Sequence, residues 1–280
     1  MNTPLLHYVR QVAVVALIAL VIIFSWLAPL DGTANQQIDT GLKRALVSFA
    51  TARALNGIIS VAQGTQVAVE PGGVGVVFAP GQLLDPINDL VEQFSNLMLA
   101  ASVAFGIQKV LLSIGAHWLA SLLLTTVALA NAGLYLRQRT IPAWVSRLLV
   151  VLLMIRFAIP IVTIGSDAVF REFMAADYQA SQQAIDVTSG QLATLGPPAS
   201  AANDTQLGAL DKFKSWWSQN ADVKAQFEKL KQGAEQAAEH IIKLMAIFLL
   251  QTLVIPLLLL WIFYTLARSL FSFPARPRPD

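Results

Sequence analysis

Arg156 is the residue whose type and position point most directly to chemistry, because it lies near the middle of an apolar run at residues 148–166. A central arginine costs about 2.5 to 3.5 kcal/mol on membrane-insertion scales, so a compensating partner or water is expected. Pro160 follows four residues later and cannot donate to the Arg156 carbonyl, which is left free for another donor. Three roles remain open: an anion-attracting or gating position in an aqueous path, a structural ion pair, or a side chain that reaches the lipid surface.

Carboxylates that could pair with Arg156 occur in the segment 85–109, and Asp89 and Glu92 are the expected partners. This segment ends at Lys109 and is apolar in between, so it is a candidate for a pore mouth. Irregular elements at membrane depth persist only when they are buried in protein or line a wet cavity. His117 lies about two turns inside the predicted second span, where packing is a more common role than ligand binding.

Catalytic and cofactor signatures are missing from the sequence. There is no phosphate loop, no Gly-x-Ser-x-Gly and no paired-carboxylate motif. The histidines His7, His117 and His240 are too scattered to share one metal, and the lack of cysteine excludes disulfides and thiolate sites. We therefore expect no catalytic residue, no cofactor and no metal.

The composition is that of a chain that lies in lipid. Hydrophobic residues make up 55% of the 280 residues and charged residues 13%, whereas soluble domains carry about 25% charged residues. The mean hydropathy is +0.59. Basic residues form no stripe with interleaved aromatic rings, so nucleic acid is not an expected partner.

Four stretches have the roughly 20 apolar residues that a membrane-spanning helix needs: residues 11–30, 110–136, 148–166 and 241–266. A fifth stretch, 96–107, is too short to span and suggests a re-entrant or interfacial helix. Charge favours four spans, because short cytoplasmic loops collect arginine and lysine. With four spans, three basic groups lie on one side: Arg10, then Arg137, Arg139 and Arg147, then Arg268, Arg276 and Arg278.

Aromatic residues agree with this topology, which places both termini in the cytoplasm of a bacterial-type inner membrane. Trp26 and Trp118 then mark the outer interface, and the other rings mark the cytoplasmic one: Tyr8, Tyr135, Trp144, Trp261 and Tyr264. A cleaved signal peptide is the alternative for the first span. The apolar run is long for a signal peptide, however, and Pro29 disfavours cleavage at the site that would follow it.

The first external region, residues 31–109, opens with an amphipathic helix. Its predicted stripe is Ile38, Leu42, Ala45, Phe49, Ala52, Asn56 and Ile59. Two valine-rich runs, 65–70 and 74–79, flank Pro71-Gly72-Gly73 and predict a small β-hairpin, supported by its own chain or by other copies. Asp85 and Pro86 then predict the start of the interfacial or re-entrant helix.

The second external region, residues 167–240, predicts an antiparallel helical hairpin that breaks near Pro197. Its returning arm has heptad spacing that continues into the last span. The candidate interaction seam on this arm comprises Trp216, Val223, Phe227 and Leu230. The expected fold is therefore an all-α integral membrane protein with four transmembrane helices, this hairpin, and the β-hairpin with its interfacial helix. The expected domains are 1–30, 31–109, 110–166, 167–240 and 241–280.

Two functions fit these expectations. The first is a non-catalytic accessory or scaffold subunit of an inner-membrane complex that interacts through the helical hairpin. The second is a homo-oligomeric channel or pore with Arg156 in or near the conduction path. The expected partners are the lipid bilayer and either further copies of the chain or other membrane proteins.

Overall fold

The computed structural model describes residues 3–63, 67–69, 76–78, 81–137, 142–195 and 223–271. Most of these residues are helical. The helices are α1 (Thr3–Leu27), α2 (Pro29–Gln63), α3 (Gly81–Gly115), α4 (Trp118–Leu136), α5 (Ala143–Phe173), α6 (Ala175–Leu195), α7 (Val223–Leu249) and α8 (Ile255–Phe271). A π-helical turn, Leu250–Val254, joins α7 to α8. Two short strands, β1 (Val67–Val69) and β2 (Val76–Phe78), pair antiparallel, and the predicted turn between them lies outside the described residues.

Several helices are long and apolar enough to cross a membrane, which confirms the prediction of a mainly helical chain with apolar helices of membrane-spanning length. Within the described residues there are four such helical stretches: Asp85–Gly115, Trp118–Leu136, Ala143–Phe173 and Glu235–Leu270. A fifth candidate is the pair Gln11–Leu27 and Pro29–Ser60, which is bent by 53° at its break.

The chain divides into two compact units. The first contains Met1–Leu42, Val103–Phe170 and Leu250–Asp280, and the second contains Lys43–Ser102 and Arg171–Leu249. Several long helices contribute residues to both units.

In the first unit, α1 and the start of α2 run antiparallel to α4 and the end of α3. Ser25 contacts Ser121, and Lys109 pairs with Asp39. Gly41 lies against Phe105. The apolar core draws on α1, α4, α5 and α8, and it includes Ile18, Leu124, Ala128, Leu149, Leu153 and Ala267.

Helix breaks in the first unit have local backbone causes. Ala28 separates α1 from α2 and has a left-handed φ of 49°, followed by Pro29, whose fixed φ suits a first helical position. The π-helical turn comes just before Pro256, which cannot donate to the carbonyl of Thr252. A shift of the hydrogen-bond pattern at that proline is the expected result.

Four sequence-based predictions of helix bounds are wrong. The span predicted over 11–30 is interrupted at Ala28, and the span predicted over 110–136 is interrupted at Ala116 and His117. The stretch 96–107 is not a separate short helix, since it lies within the 35 residues of α3. That helix also begins before the predicted Asp85 cap, and Pro86 lies inside it, where the proline removes one backbone hydrogen bond.

The inward face of α2 differs in part from the predicted stripe. The buried positions follow one heptad pattern: Ala34, Ile38, Gly41, Ala45, Ser48, Ala52, Leu55 and Ile59. The predicted Leu42, Phe49 and Asn56 lie beside this stripe and are half-buried. The prediction followed the larger side chains, whereas glycine and serine occupy the inward positions because small residues allow close helix packing.

In the second unit, α6 and α7 pack antiparallel. Asp177 pairs with Lys243, and the His240 ring lies 3.3 Å from the Ser181 hydroxyl. The Tyr178 ring meets the Phe248 ring edge-on, with centroids 5.9 Å apart. Between α5 and α6 the helix is interrupted at Met174.

Candidate functional site

The break between α1 and α2 leaves a backbone carbonyl without its helical donor. In a continuous helix the N–H of residue 29 would bond to the carbonyl of Ser25, but Pro29 has no N–H. The Ala28 amide still donates to the Phe24 carbonyl at 3.1 Å. The helical hydrogen bonds of α1 therefore stop just before the Ser25 carbonyl. A buried carbonyl in apolar surroundings needs another donor.

Arg156 of α5 supplies that donor. Its Nε and Nη2 donate to the Ser25 carbonyl at 3.3 and 3.1 Å. Its Nη1 and Nη2 also donate to the two carboxylate oxygens of Asp31, each at 2.9 Å. The guanidinium therefore forms a bidentate ion pair and caps a helix with the same planar group. The Arg156 side chain is 2% exposed and that of Asp31 18%.

Helix dipoles favour this placement of the two charges. Ser25 lies in the last turn of α1, where backbone carbonyls carry partial negative charge, and the cationic Arg156 binds there. Asp31 lies in the first turn of α2, where free N–H groups carry partial positive charge. The ion pair thus joins the C-terminal end of one helix to the N-terminal end of the next.

Hydroxyl groups of α4 also bond to this junction of α1 and α2, which we call the Arg156 corner. Ser25 Oγ donates to Ser121 Oγ at 3.0 Å, and Ser121 Oγ donates back to the Ser25 carbonyl at 3.1 Å. One residue further on, the Trp26 indole donates to Thr125 Oγ1 at 3.0 Å. These contacts fix the end of α1 against α4, independently of Arg156.

The end of α3 approaches the α5 backbone near Arg156. A Cβ built on Gly115 would lie 2.6 Å from the carbonyl oxygen of Ile155 and 3.7 Å from that of Arg156. The second of these carbonyls is the one that Pro160 leaves without its helical donor. Pro160 is buried within α5, so its predicted place in a long helix is correct.

Several predicted site residues lie elsewhere or do something else. The carboxylate partner of Arg156 is Asp31 rather than Asp89 or Glu92, which are both exposed on α3. Lys109 pairs with Asp39 through side chains that are about half exposed, 48% and 46%.

His117 is not inside a helix. It is the N-cap of α4, where its Nδ1 accepts a hydrogen bond from the Leu119 amide at 3.3 Å. In the predicted interaction seam, Trp216 lies outside the described residues. Val223, Phe227 and Leu230 lie in the first turns of α7, and their side chains are outside what the structure describes.

A second polar cluster links α2 to α6 within the second unit. Ser48 Oγ donates to Gln182 Oε1 at 3.0 Å, and Gln182 Nε2 donates to Thr51 Oγ1 at 3.0 Å. Thr51 Oγ1 donates in turn to Asp186 at 3.4 Å. These side chains are neutral except that of Asp186, and their hydrogen bonds join α2 to α6. The cluster is therefore a specific helix–helix contact.

The chemistry available at the Arg156 corner is electrostatic. Both charges are directed at each other, and among the described residues no group of three or more His, Asp or Glu side chains is arranged to hold a metal. Other buried polar atoms in the first unit have no hydrogen-bond partner within the described part of the chain: both amide atoms of Asn131, Thr163 Oγ1, Ser166 Oγ and Gln251 Oε1.

Asp31, Ser25 and Ser121 were missed by the sequence analysis. The signal that identifies them is Pro29, because a proline inside an apolar run frees the carbonyl four residues earlier. Asp31, two residues after that proline, was the nearest carboxylate to the freed carbonyl.

Comparison with known proteins gave no relative: no protein-family model, no curated protein and no solved structure matches the chain.

Proposed function

We propose that the chain is a non-catalytic accessory or scaffold subunit of a membrane protein complex, in a bacterial-type inner membrane with both termini in the cytoplasm. The observation that carries the proposal is the state of Arg156. This buried charge is neutralised by Asp31 and fixed on the Ser25 carbonyl, so it stabilises a helix break. A residue that gates or attracts ions needs access to water, which this geometry does not favour.

Interaction with partners is assigned to the helical hairpin of residues 167–240, through the seam of Trp216, Val223, Phe227 and Leu230. Heptad spacing on a polar helix is typical of a helix that packs on another helix. The antiparallel packing of α6 on α7 supports the hairpin part of this proposal.

Native mass spectrometry of the chain, gently solubilised from its own membrane, tests the proposal. Foreign subunits at fixed stoichiometry are expected, and they should be lost from Phe227→Ser. The control is Val187→Ser, which makes the same kind of change at an exposed position of α6 and should retain the partners. A closed homo-oligomer with no foreign subunit would reject the accessory role.

A homo-oligomeric pore is the second candidate, and buried polar atoms in the first unit favour it. Thr163 Oγ1 and Ser166 Oγ have no partner among the described residues, and buried polar atoms without a protein partner are commonly bound by ordered water. The chain has no cysteine, so single cysteines report access directly. A water-soluble maleimide should label Thr163→Cys in a pore and spare Leu152→Cys, a buried position on the same helix.

Conductance across a planar bilayer gives the second test of the pore. A current that changes in Arg156→Ala would place this residue in or near the conduction path. A leak-free bilayer, together with unlabelled Thr163→Cys, would reject the pore.

A further inference from the structure

One end of the first unit concentrates positive charge. Helix α4 ends there, α5 begins there and α8 ends there, since Ala132, Leu149 and Ala267 belong to one buried cluster. Arg137, Arg147 and Arg268 are exposed at this end. The sequence has no Asp or Glu at 1–30, 93–166 or 240–279, so no acidic side chain of these segments can neutralise them.

Exposed aromatic rings accompany two of these arginines. On α8, Trp261, Tyr264 and Arg268 follow steps of three and four and therefore share one helix face. On α5, Trp144, Arg147 and Val151 repeat the same spacing, again on an exposed face. Each face thus combines a cation with at least one exposed aromatic ring, and such rings prefer the level of lipid headgroups.

The basic side chains at this end are arginines only. All lysines of the chain lie between Lys43 and Lys243, and none falls within α4, α5 or α8. A guanidinium binds two oxygens of a phosphate at once, whereas an ammonium acts as a point charge. A site that needed only positive charge would have no reason to exclude lysine.

We propose that this arginine end binds the phosphate groups of anionic phospholipids, with Arg137, Arg147 and Arg268 as the ligands. The lipid phosphate accepts hydrogen bonds from the guanidinium groups, and its acyl chains lie along the exposed apolar faces of α5 and α8. Basic residues next to membrane helices attract anionic lipid, and each contributes about fivefold to binding. The inference holds for either orientation of the chain in the membrane.

Native mass spectrometry with defined lipid tests this site on the full chain in neutral detergent. Phosphatidylglycerol and phosphatidylcholine are added in equal amounts, and retained lipid is counted. Wild type should retain phosphatidylglycerol preferentially. The triple variant R137Q/R147Q/R268Q should lose most of this preference, about a hundredfold if the three fivefold contributions multiply.

The matched control is K43Q/R53Q/R171Q, which removes three exposed charges from the second unit and should keep the preference. Equal losses in both triple variants would overturn the proposal, because net charge alone would then explain the binding. A wild type that retains both lipids equally would overturn it too. Inorganic phosphate and glycerol phosphate are tested as competitors: displacement of the lipid at millimolar concentration would assign the site to free phosphate instead.

A conservative variant keeps the test decisive if the glutamine variant fails to fold. R137K/R147K/R268K preserves the charge and hence the membrane topology, but it loses the two-point contact with phosphate. Retention of phosphatidylglycerol should fall about threefold or more, as expected when each cation loses the second of two parallel hydrogen bonds to the phosphate. Retention equal to that of wild type would reject the arginine-specific site.

Discussion

The guanidinium of Arg156 donates two hydrogen bonds to the carbonyl of Ser25, at 3.3 and 3.1 Å, although 131 positions separate the residues. Pro29 explains the relationship, because it leaves this carbonyl without the donor that a continuous helix would supply. The buried arginine is therefore tied to a backbone break as well as to a carboxylate. Its loss should leave the Asp31 carboxylate without its cationic partner, and the Ser25 carbonyl would keep only the hydrogen bond from the Ser121 hydroxyl.

A double-mutant cycle on Arg156 and Asp31 should show strong coupling. Removing one partner from a buried ion pair costs about 3 to 5 kcal/mol, because the other charge stays buried and unpaired. Arg156→Met and Asp31→Asn should each destabilise the first unit, and the double variant should lose less than the two single losses added together. Thermal unfolding in detergent measures all four proteins.

The exposed pair of Lys109 and Asp39 is the control for this cycle. Its side chains are 48% and 46% exposed, and exposed ion pairs contribute about 0 to 1 kcal/mol. Coupling between Lys109→Gln and Asp39→Asn should therefore be small. Equal coupling in the two cycles would show that burial of Arg156 does not determine its contribution.

Ala28→Gly should stabilise the chain. Ala28 has a left-handed φ of 49°, a conformation that costs an L-residue about 1 kcal/mol and that glycine adopts freely. The same change at Ala50, an exposed position inside α2, should destabilise by about 0.5 to 1 kcal/mol. Melting temperatures that move in the same direction would contradict the left-handed turn.

Gly115→Ala should be costly, since its Cβ would lie 2.6 Å from a backbone oxygen, that of Ile155. Backbone cannot rotate away as a side chain can, and overpacking of this kind costs about 1 to 3 kcal/mol. Gly133→Ala on α4 is the matched control, because nothing lies within 4 Å of its added Cβ. That variant should gain about 0.5 to 1 kcal/mol from helix propensity. A tolerated Gly115→Ala would show that α3 and α5 are less close.

Much of the helical content could be predicted from the sequence, because apolar runs and heptad spacing depend on neighbouring residues. The membrane-length helices and the inward positions Ile38, Ala45, Ala52 and Ile59 follow from such patterns. The breaks could not be placed in the same way. Ala28 and Ala116 are good helix formers by propensity, so residue type does not mark these breaks, and only the proline after Ala28 disfavours helix at the residue before it.

The Arg156 corner shows the same limit. Burial cost alone predicts that a central arginine needs a partner, and this requirement can be read from one helix. The identity of the partner depends on how the chain turns at Ala28, which brings Asp31 to the same guanidinium as the Ser25 carbonyl. Asp89 and Glu92 carry the carboxylates that such a partner requires, but they lie on the exposed side of α3.

Gln182 tests whether the polar cluster of the second unit acts as a matched set. Gln182→Leu removes the 3.0 Å acceptor of the buried Ser48 hydroxyl and leaves it only the 3.5 Å contact with the Tyr178 hydroxyl, which should cost about 1 kcal/mol or more. Adding Ser48→Ala should recover part of this loss, because replacing both partners by apolar groups is nearly neutral. Hydrogen exchange of α2 and α6 amides measures both effects locally. No recovery in the double variant would show that other contacts of Gln182 dominate.

Replacing Asn131 by an apolar residue is predicted to stabilise the chain. It is fully buried on α4, and neither amide atom has a partner among the described residues. An unsatisfied buried polar group costs about 1 to 3 kcal/mol, so Asn131→Leu should raise the melting temperature of the detergent-solubilised chain. Leu124→Asn, the reverse change at a fully buried position of the same helix, should lower it. A destabilised Asn131→Leu would mean that the amide finds a partner in the membrane, such as bound water. The partner complement of the variant, measured by native mass spectrometry, then distinguishes a structural water from a site needed for assembly.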